Sequence, residues 1–152
     1  MAALAAAMLA SPALAEPLQP GMPLPALALR DQHDQPAPVG PDVRLILVTR
    51  DMDGGKIVKE ALAEGGAATL AKAHAVYVSD ISRMPGLVTS MFALPALRKR
   101  EYPVLLDRDG KATADFPYEE NHVAIVSTDG AKVTAIRFVG GARDLEAALG
   151  AP

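Results

Sequence analysis

The stretch RLILVTRDMDGGKIVKEAL, residues 44–62, decides the fold, because an acidic turn joins a strand pattern to a helical pattern. Residues 43–49 are almost continuously apolar, which is typical of a strand covered on both faces in a parallel or mixed sheet. The following helix has one apolar face, made by Ile57, Val58, Ala61 and Leu62. The pair Gly65 and Gly66 predicts its end. Many α/β proteins carry a functional site at a strand-to-helix turn such as this DMDGG segment.

The remainder of the chain predicts five more strands. A short edge strand at residues 27–29 precedes a turn and a loop rich in Pro and Gly. Further strands are predicted at residues 73–80 and 102–110. Residues 122–141 predict two strands joined by a hairpin turn at 128–130.

Two further helices complete the pattern. One is predicted after Pro85, where Leu87, Val88, Met91 and Phe92 repeat the apolar spacing. The other covers residues 142–149. The order β, β, α, β, α, β, β, β, α predicts an α/β fold with one mixed sheet and helices on both faces.

The N-terminal part of the chain predicts a leader and an arm. Residues 1–15, MAALAAAMLASPALA, carry no charge and end in an A-x-A pattern, which predicts a signal peptide and a periplasmic or secreted protein. Their apolar run is shorter than the roughly 20 residues of a spanning helix, so we expect no stable membrane anchor. Residues 16–25, EPLQPGMPLP, contain four prolines and predict an extended arm. Residues 26–150 are expected to form a single domain.

The composition argues against several classes of function. The 152 residues include no cysteine, which removes disulfides, thiolate catalysis and zinc-thiolate sites. The net charge is −3 and the basic residues are dispersed, so we expect no nucleic-acid partner. With three Phe, three Tyr and no Trp, the chain also lacks the aromatic residues of a base-stacking surface.

Three further stretches have the form of strand and hairpin motifs: PLPALALRDQHDQP, YPVLLDRDGKATADF and VAIVSTDGAKVTAIRFVGG. They resemble the opening strand and turn, the inserted P-V-L-x-D-x-x-G segment and the closing hairpin of the thioredoxin-like superfamily. Within it, the likeness is to peroxiredoxins and to periplasmic thiol-disulfide proteins. It covers residues 22–149 and implies a thioredoxin-like three-layer α/β/α sandwich with a mixed sheet and an N-terminal β-hairpin extension.

The same resemblance shows which functional residues the chain lacks. The superfamily carries Cys-x-x-Cys at the start of its first helix, where the helix N-terminus lowers the thiol pKa. In this sequence the two cysteines align with Met52 and Gly55. The cis-proline that faces the cysteines aligns with Asn121, and Tyr102-Pro103 is the other candidate for it. We therefore expect no thiol-disulfide or peroxidase activity.

Other roles remain open to the acidic turn. Asp53 precedes two glycines and is placed to cap the helix, an interaction of roughly 1 kcal/mol. A phosphate site is disfavoured, because Asp51 and Asp53 would repel an anion and no Walker pattern is present. A metal site would need a His from another loop, and the three His form no recognised metal-binding spacing. The DQHDQ segment at residues 31–35 is typical of a polar turn.

These observations favour a non-redox protein that acts by binding a protein or a small ligand, without a catalytic residue, metal site or cofactor. We define its expected binding surface as the turn surface, which consists of Asp51, Met52, Asp53, Gly54, Gly55 and Asn121. The alternative is a thiol-independent, metal-assisted enzyme, or a remnant member of an oxidoreductase family, that uses the same surface.

The A-x-A pattern predicts that the mature protein begins at Glu16. Expression of the full sequence with a verified start in a bacterial host should yield a product lacking fifteen residues, measured as its intact mass. An unprocessed cytoplasmic product would show that residues 1–15 are not a cleaved leader.

Overall fold

The structure is a computed structural model that describes residues 16–150. The predicted leader and residues 151–152 lie outside the described part of the chain. Residues 16–25 form no helix and pack along the sheet. Leu18 is buried and its amide donates to the Asp115 carbonyl at 2.7 Å, while the Leu24 amide donates to the Ala131 carbonyl at 2.9 Å. The arm is therefore part of the folded structure.

Seven strands in residues 16–150 form one mixed sheet with the order β2-β1-β5-β4-β3-β6-β7. They are β1 (Ala28–Asp31), β2 (Pro36–Pro38), β3 (Leu45–Thr49), β4 (Ala75–Asp80), β5 (Leu105–Asp107), β6 (Val123–Thr128) and β7 (Val133–Val139). Strand β4 is parallel to both β3 and β5. The remaining neighbours pair antiparallel, including the N-terminal hairpin β1–β2. The mixed sheet and the N-terminal hairpin agree with the expectation from the sequence.

The helices follow β3, β4 and β7. They are α1 (Met52–Ala61), α2 (Gly66–Lys72), α3 (Gly86–Val88), α4 (Leu94–Arg98) and α5 (Ala142–Gly150), with a π-helical turn (Thr89–Ala93) between α3 and α4. Pro95 lies at the start of α4. Since proline has no N–H and its ring crowds the preceding turn, it accounts for the wider π-helical turn at this point. No helix between residues 16 and 150 is long and apolar enough to cross a membrane.

Side chains alternate between the two faces of the sheet. In β3, Leu47 enters one core, whereas Ile46 and Val48 enter the other. The first core contains buried residues of α1, α2, α4 and α5. The second contains Leu18 of the arm and Phe116 of the β5–β6 connection, and no helical residue from the described range 16–150. The α/β fold with one mixed sheet is confirmed. Buried helical side chains enter the first core, and within residues 16–150 the second core is covered by non-helical chain.

Two elements were not predicted. The resemblance implied an N-terminal hairpin, but the local sequence pattern predicted a loop where strand β2 lies. The prolines of β2 are tolerated because an edge strand needs few backbone donors. Helix α1 ends at Ala61, before the glycine pair, and Gly66 begins α2. Gly65 adopts φ +62°, a left-handed conformation that turns the chain between the helices. The glycine pair thus redirects the helical chain rather than ending it.

Candidate functional site

The turn after β3 is organised by Asp51, the N-cap residue of α1. Its backbone is extended, and its Oδ1 accepts a hydrogen bond from the Gly54 amide at 2.7 Å. The prediction of Asp53 as the cap was wrong. Helix α1 begins at Met52. Asp51 therefore lies three residues before Gly54, whose amide has no partner within the helix, and Asp53 lies inside the first turn. There the exposed Asp53 carboxylate pairs with Lys56 Nζ at 2.8 Å.

The second carboxylate oxygen of Asp51 joins the turn to the segment before β6. It accepts hydrogen bonds from the Tyr118 hydroxyl at 2.9 Å and from the Asn121 amide at 2.8 Å. Asn121 has φ +62°, a conformation that Asn tolerates better than most residues. The structure thus places Asn121 opposite the start of α1, as the alignment implies. Tyr102-Pro103, the other candidate, precedes β5 instead.

The hydrogen bonds around Asp51 change the acidity of two groups. Partial burial acts to raise the pKa of Asp51, but the Gly54 and Asn121 amides and the Tyr118 hydroxyl outweigh burial and lower this pKa below its ordinary value. The hydrogen bond to Asp51 raises the pKa of Tyr118 above its ordinary value. The Asp51 carboxylate is therefore stabilised in its charged form.

Two glycines of the turn surface have different surroundings. A Cβ on Gly54 would lie 2.8 Å from the His122 carbonyl oxygen, which is closer than a real Cβ contact. Gly54 is therefore required by the close approach of α1 to the start of β6. A Cβ on Gly55 would meet nothing closer than the Tyr77 hydroxyl at 4.0 Å. Met52, the first residue of the helix, is 71% exposed.

A buried polar network beside the turn surface was not predicted. Asp80 and Asp107 end the neighbouring strands β4 and β5, and the Thr113 hydroxyl reaches Asp80 Oδ2 at 3.1 Å and Asp107 Oδ2 at 2.8 Å. Arg50 donates to the Thr113 and Phe116 carbonyls, and its Nε lies 3.7 Å from Asp80 Oδ2. This network fixes the β5–β6 connection, which carries Tyr118.

The burial of the Arg50 guanidinium is only partly offset by its polar partners. Its Nε is buried and makes no hydrogen bond, and burial lowers the pKa of Arg50 even though Asp80 opposes this effect. The Arg50 and Arg83 guanidinium groups each lie 5.7 Å from the centroid of the Tyr118 ring. Cation–π contacts of this kind help to orient the ring whose hydroxyl reaches Asp51.

A cavity of about 240 Å³ opens next to the turn surface, between α1 and α4. Its apolar part includes Tyr77, Ile81, Met84, Leu97 and Tyr102. Its other lining residues include Met52 and Gly55 of the turn surface and the cations Lys56, Lys59 and Arg100. The sequence did not indicate this cavity, because its lining comes from three separate segments whose apolar residues look like ordinary core positions.

The histidines and acidic residues are not arranged as a metal site. Between residues 16 and 150 no three His, Asp or Glu side chains come close enough to share an ion. In the DQHDQ segment, Asp31 Oδ1 accepts from the His33 and Gln35 amides, which makes it the polar turn of the β1–β2 hairpin. His122 Nε2 lies 3.3 Å from Glu119 Oε1, outside the turn surface.

Comparison with known proteins finds similarity at the level of structure. No protein-family model matches the chain, and no curated protein sequence matches it. Peroxidoxin BcpB from Mycobacterium tuberculosis superposes with a TM-score of 0.54 and 18% identity, covering 87% of this chain and 94% of that chain. A peroxiredoxin-like protein from Aquifex aeolicus gives a TM-score of 0.54 at 12% identity, covering 88% and 86%.

A third similar structure is the thioredoxin domain of the thiol-disulfide oxidoreductase BVU-2223 from Bacteroides vulgatus. It matches with a TM-score of 0.52 and 14% identity, covering 86% of this chain and 94% of that chain. The sheet, the hairpin extension and these superpositions together define the chain as a protein of the thioredoxin-like fold. It contains no cysteine and so lacks the catalytic cysteines of the superfamily.

Replacement of the two turn glycines should have opposite effects. Gly54→Ala should destabilise the protein by about 1–3 kcal/mol, because the methyl group would collide with the His122 carbonyl. Gly55→Ala, its matched control, should be neutral or stabilise by up to roughly 1 kcal/mol, since alanine favours the helix and has space. Denaturant unfolding measures both. Equal free energies of unfolding for the two variants would contradict the close approach at Gly54.

Loss of the Asp51 charge should weaken the fold in a pH-dependent way. Asp51→Asn should cost about 1–2 kcal/mol at neutral pH, while Asp53→Asn, an exposed control in the same turn, should cost under about 0.5 kcal/mol. Because the pKa of Asp51 is lowered by folding, its stabilising effect is present above the ordinary value of 3.8. It should disappear as the pH falls through the lower folded pKa.

Denaturant unfolding over a pH series tests the Asp51 prediction, and NMR titration of the tyrosine rings gives a second readout. In Asp51→Asn the pKa of Tyr118 should fall towards its ordinary value of 10.0, because the hydrogen bond to the carboxylate is the main cause of its elevation. An unchanged Tyr118 pKa together with unchanged stability would show that Asp51 does not connect these segments.

Proposed function

We propose that this chain is a non-redox thioredoxin-like protein of the periplasm or the secreted fraction, which binds a protein or a small ligand through the turn surface. One observation carries the proposal. The Asp51 carboxylate joins the helix start to the facing segment at Asn121. The exposed side chain of Met52 occupies the position that aligns with a catalytic cysteine. The surface is thus ordered and accessible, without the residues for thiol chemistry.

The absence of cysteine supports a role other than disulfide exchange. The nucleophile in thiol-disulfide exchange is a thiolate, and no side chain of this sequence can form one. Met52 has a thioether, which has no proton to lose and is a soft apolar contact group. An exposed methionine beside a cavity suits the adaptable contacts of a binding surface.

The location in the proposal is supported by the sequence. Residues 1–15 combine an uncharged apolar segment with an A-x-A pattern, which is typical of an exported precursor. The thioredoxin-like fold is compatible with export and does not require it. The mass of the processed protein, predicted above, tests this part of the proposal separately.

Capture with a charged variant tests the turn surface. Immobilised wild-type protein should retain a protein or small molecule from an extract of the exported fraction, identified by mass spectrometry. Met52→Glu should reduce this retention about tenfold or more, because a charge would replace an apolar contact. The new carboxylate lies at a helix N-terminus, which tolerates negative charge, so the variant should stay folded.

Ala131→Glu provides the control for capture, since it adds the same charge at an exposed turn at the opposite end of the sheet. It should retain the ligand as the wild type does. Equal retention by Met52→Glu, or no retained species with the wild type, would contradict binding through the turn surface.

Metal analysis tests the metal-assisted alternative. Protein purified without chelators should contain no stoichiometric metal. One bound ion per chain would favour the metal-assisted enzyme over the binding protein.

A further inference from the structure

We infer that the cavity between α1 and α4 binds a small apolar molecule that carries a single carboxylate group. This inference rests on the proposed binding function and specifies the ligand. The cavity adjoins the turn surface, since Asp51, Met52 and Gly55 line it. A ligand in the cavity would therefore lie beside the position where the superfamily carries its thiols.

The size of the cavity limits the ligand. A volume of about 240 Å³ corresponds to about eight water molecules at roughly 30 Å³ each. This space suits an apolar molecule of about ten non-hydrogen atoms, such as a medium-chain fatty acid or an arylacetic acid. Gly55 leaves part of the cavity open, because a glycine has no side chain to fill the space between α1 and the Tyr77 hydroxyl. The position that aligns with the second cysteine is thus part of the opening.

The interior of the cavity is apolar and well ordered. Tyr77 and Tyr102 are 4% and 6% exposed, and Ile81 is 3% exposed. The Tyr77 hydroxyl is held by Thr49 Oγ1 at 2.8 Å, so its ring has a fixed orientation. Met84 and Leu97 complete the wall from the side of α4. Burial of about ten apolar and aromatic atoms against these side chains provides the main part of the binding energy.

The charges around the cavity select an anion. Lys56 is paired with Asp53, but within residues 16–150 neither Lys59 nor Arg100 forms an ion pair. Arg100 is half-buried. Burial raises the pKa of Tyr77 and of Tyr102, and the positive charge of Arg100 opposes this effect on both hydroxyls. Arg100 lines the cavity, so its guanidinium is placed to donate two hydrogen bonds to a carboxylate bound there.

The lining argues against other head groups. Asp51 is the one carboxylate in it, and both of its oxygens already accept hydrogen bonds from Gly54, Tyr118 and Asn121. A cationic ligand would thus meet Lys59 and Arg100 without a free counter-charge. The helix start offers no phosphate site, because Asp51 already accepts from the Gly54 amide and places a negative charge there. A single carboxylate matches the available charge.

Titration with octanoate tests the inference. Amide chemical shifts of labelled protein, expressed from the full sequence, should move around Gly55, Tyr77, Ala96 and Arg100, with a dissociation constant on the order of 0.1–1 mM. Octanol, of the same chain length without the charge, should bind about tenfold more weakly. Octylammonium should not bind.

Four variants locate the ligand. Arg100→Gln should weaken octanoate binding about tenfold and Lys59→Gln less, since Lys59 is more exposed. Ala96→Trp, at an exposed position on the cavity wall, should abolish binding by filling the space without entering the core. Lys72→Gln removes an equivalent charge from α2, outside the cavity, and should leave binding unchanged.

Octanoate binding that survives Ala96→Trp, or octanol binding as tightly as octanoate, would overturn the inference. Its failure is distinguishable from failure of the proposed function. If Met52→Glu loses the captured species while octanoate does not bind, the turn surface is a binding site and the carboxylate is the wrong ligand. If octanoate binds and Met52→Glu captures as the wild type does, the cavity stands and the turn surface is not the site of capture.

Discussion

The Asp51 carboxylate is the interaction on which the arrangement of the turn surface depends. Its Oδ1 binds the Gly54 amide and starts α1, and its Oδ2 binds Tyr118 and Asn121, about 70 residues later in the chain. One side chain thus fixes both the direction of the helix and the position of the segment before β6. The close contact between Gly54 and the His122 carbonyl requires the same alignment. Without this carboxylate, three donors would lose their partner together.

A second polar network fixes the chain that brings Tyr118 to Asp51. Arg50 binds two carbonyls of the β5–β6 connection, and Thr113 bridges the carboxylates at the ends of β4 and β5. This connection and the N-terminal arm contribute Phe116 and Leu18 to the second core, which takes no helical side chain from the part of the chain that the structure describes. The connection has a few backbone turn bonds of its own, such as Phe116 N to the Thr113 carbonyl, and its contacts to strand ends attach it to the sheet. The adjacent residues Arg50 and Asp51 therefore anchor different parts of the same connection.

The sequence predicted elements whose signal is local. The apolar run at residues 43–49 indicated β3, and the turn at 128–130 indicated the β6–β7 hairpin, because each pattern needs only neighbouring residues. It predicted Asp53 as the helix cap and was wrong, because the glycine pair suggested a later helix start than Met52. The bonds from Asp51 to Tyr118 and Asn121 join distant segments, so no local pattern indicated them. The cavity and the Arg50 network combine distant segments, so no local pattern reveals them. The proximity of Asn121 to the start of α1 was expected only through the resemblance to a known fold.

The distribution of charge around α1 explains why the turn surface and the cavity differ in chemistry. A helix N-terminus attracts anions, and this property activates a thiolate in redox proteins of the fold. Here the Asp51 carboxylate already satisfies the Gly54 amide, and Asp53 adds a second negative charge. An additional anion is therefore disfavoured at the helix start, whereas Lys59 and Arg100 line the adjacent cavity and favour one there. The acidic turn thus has a structural role, and the carboxylate site that we propose lies at the side of the helix.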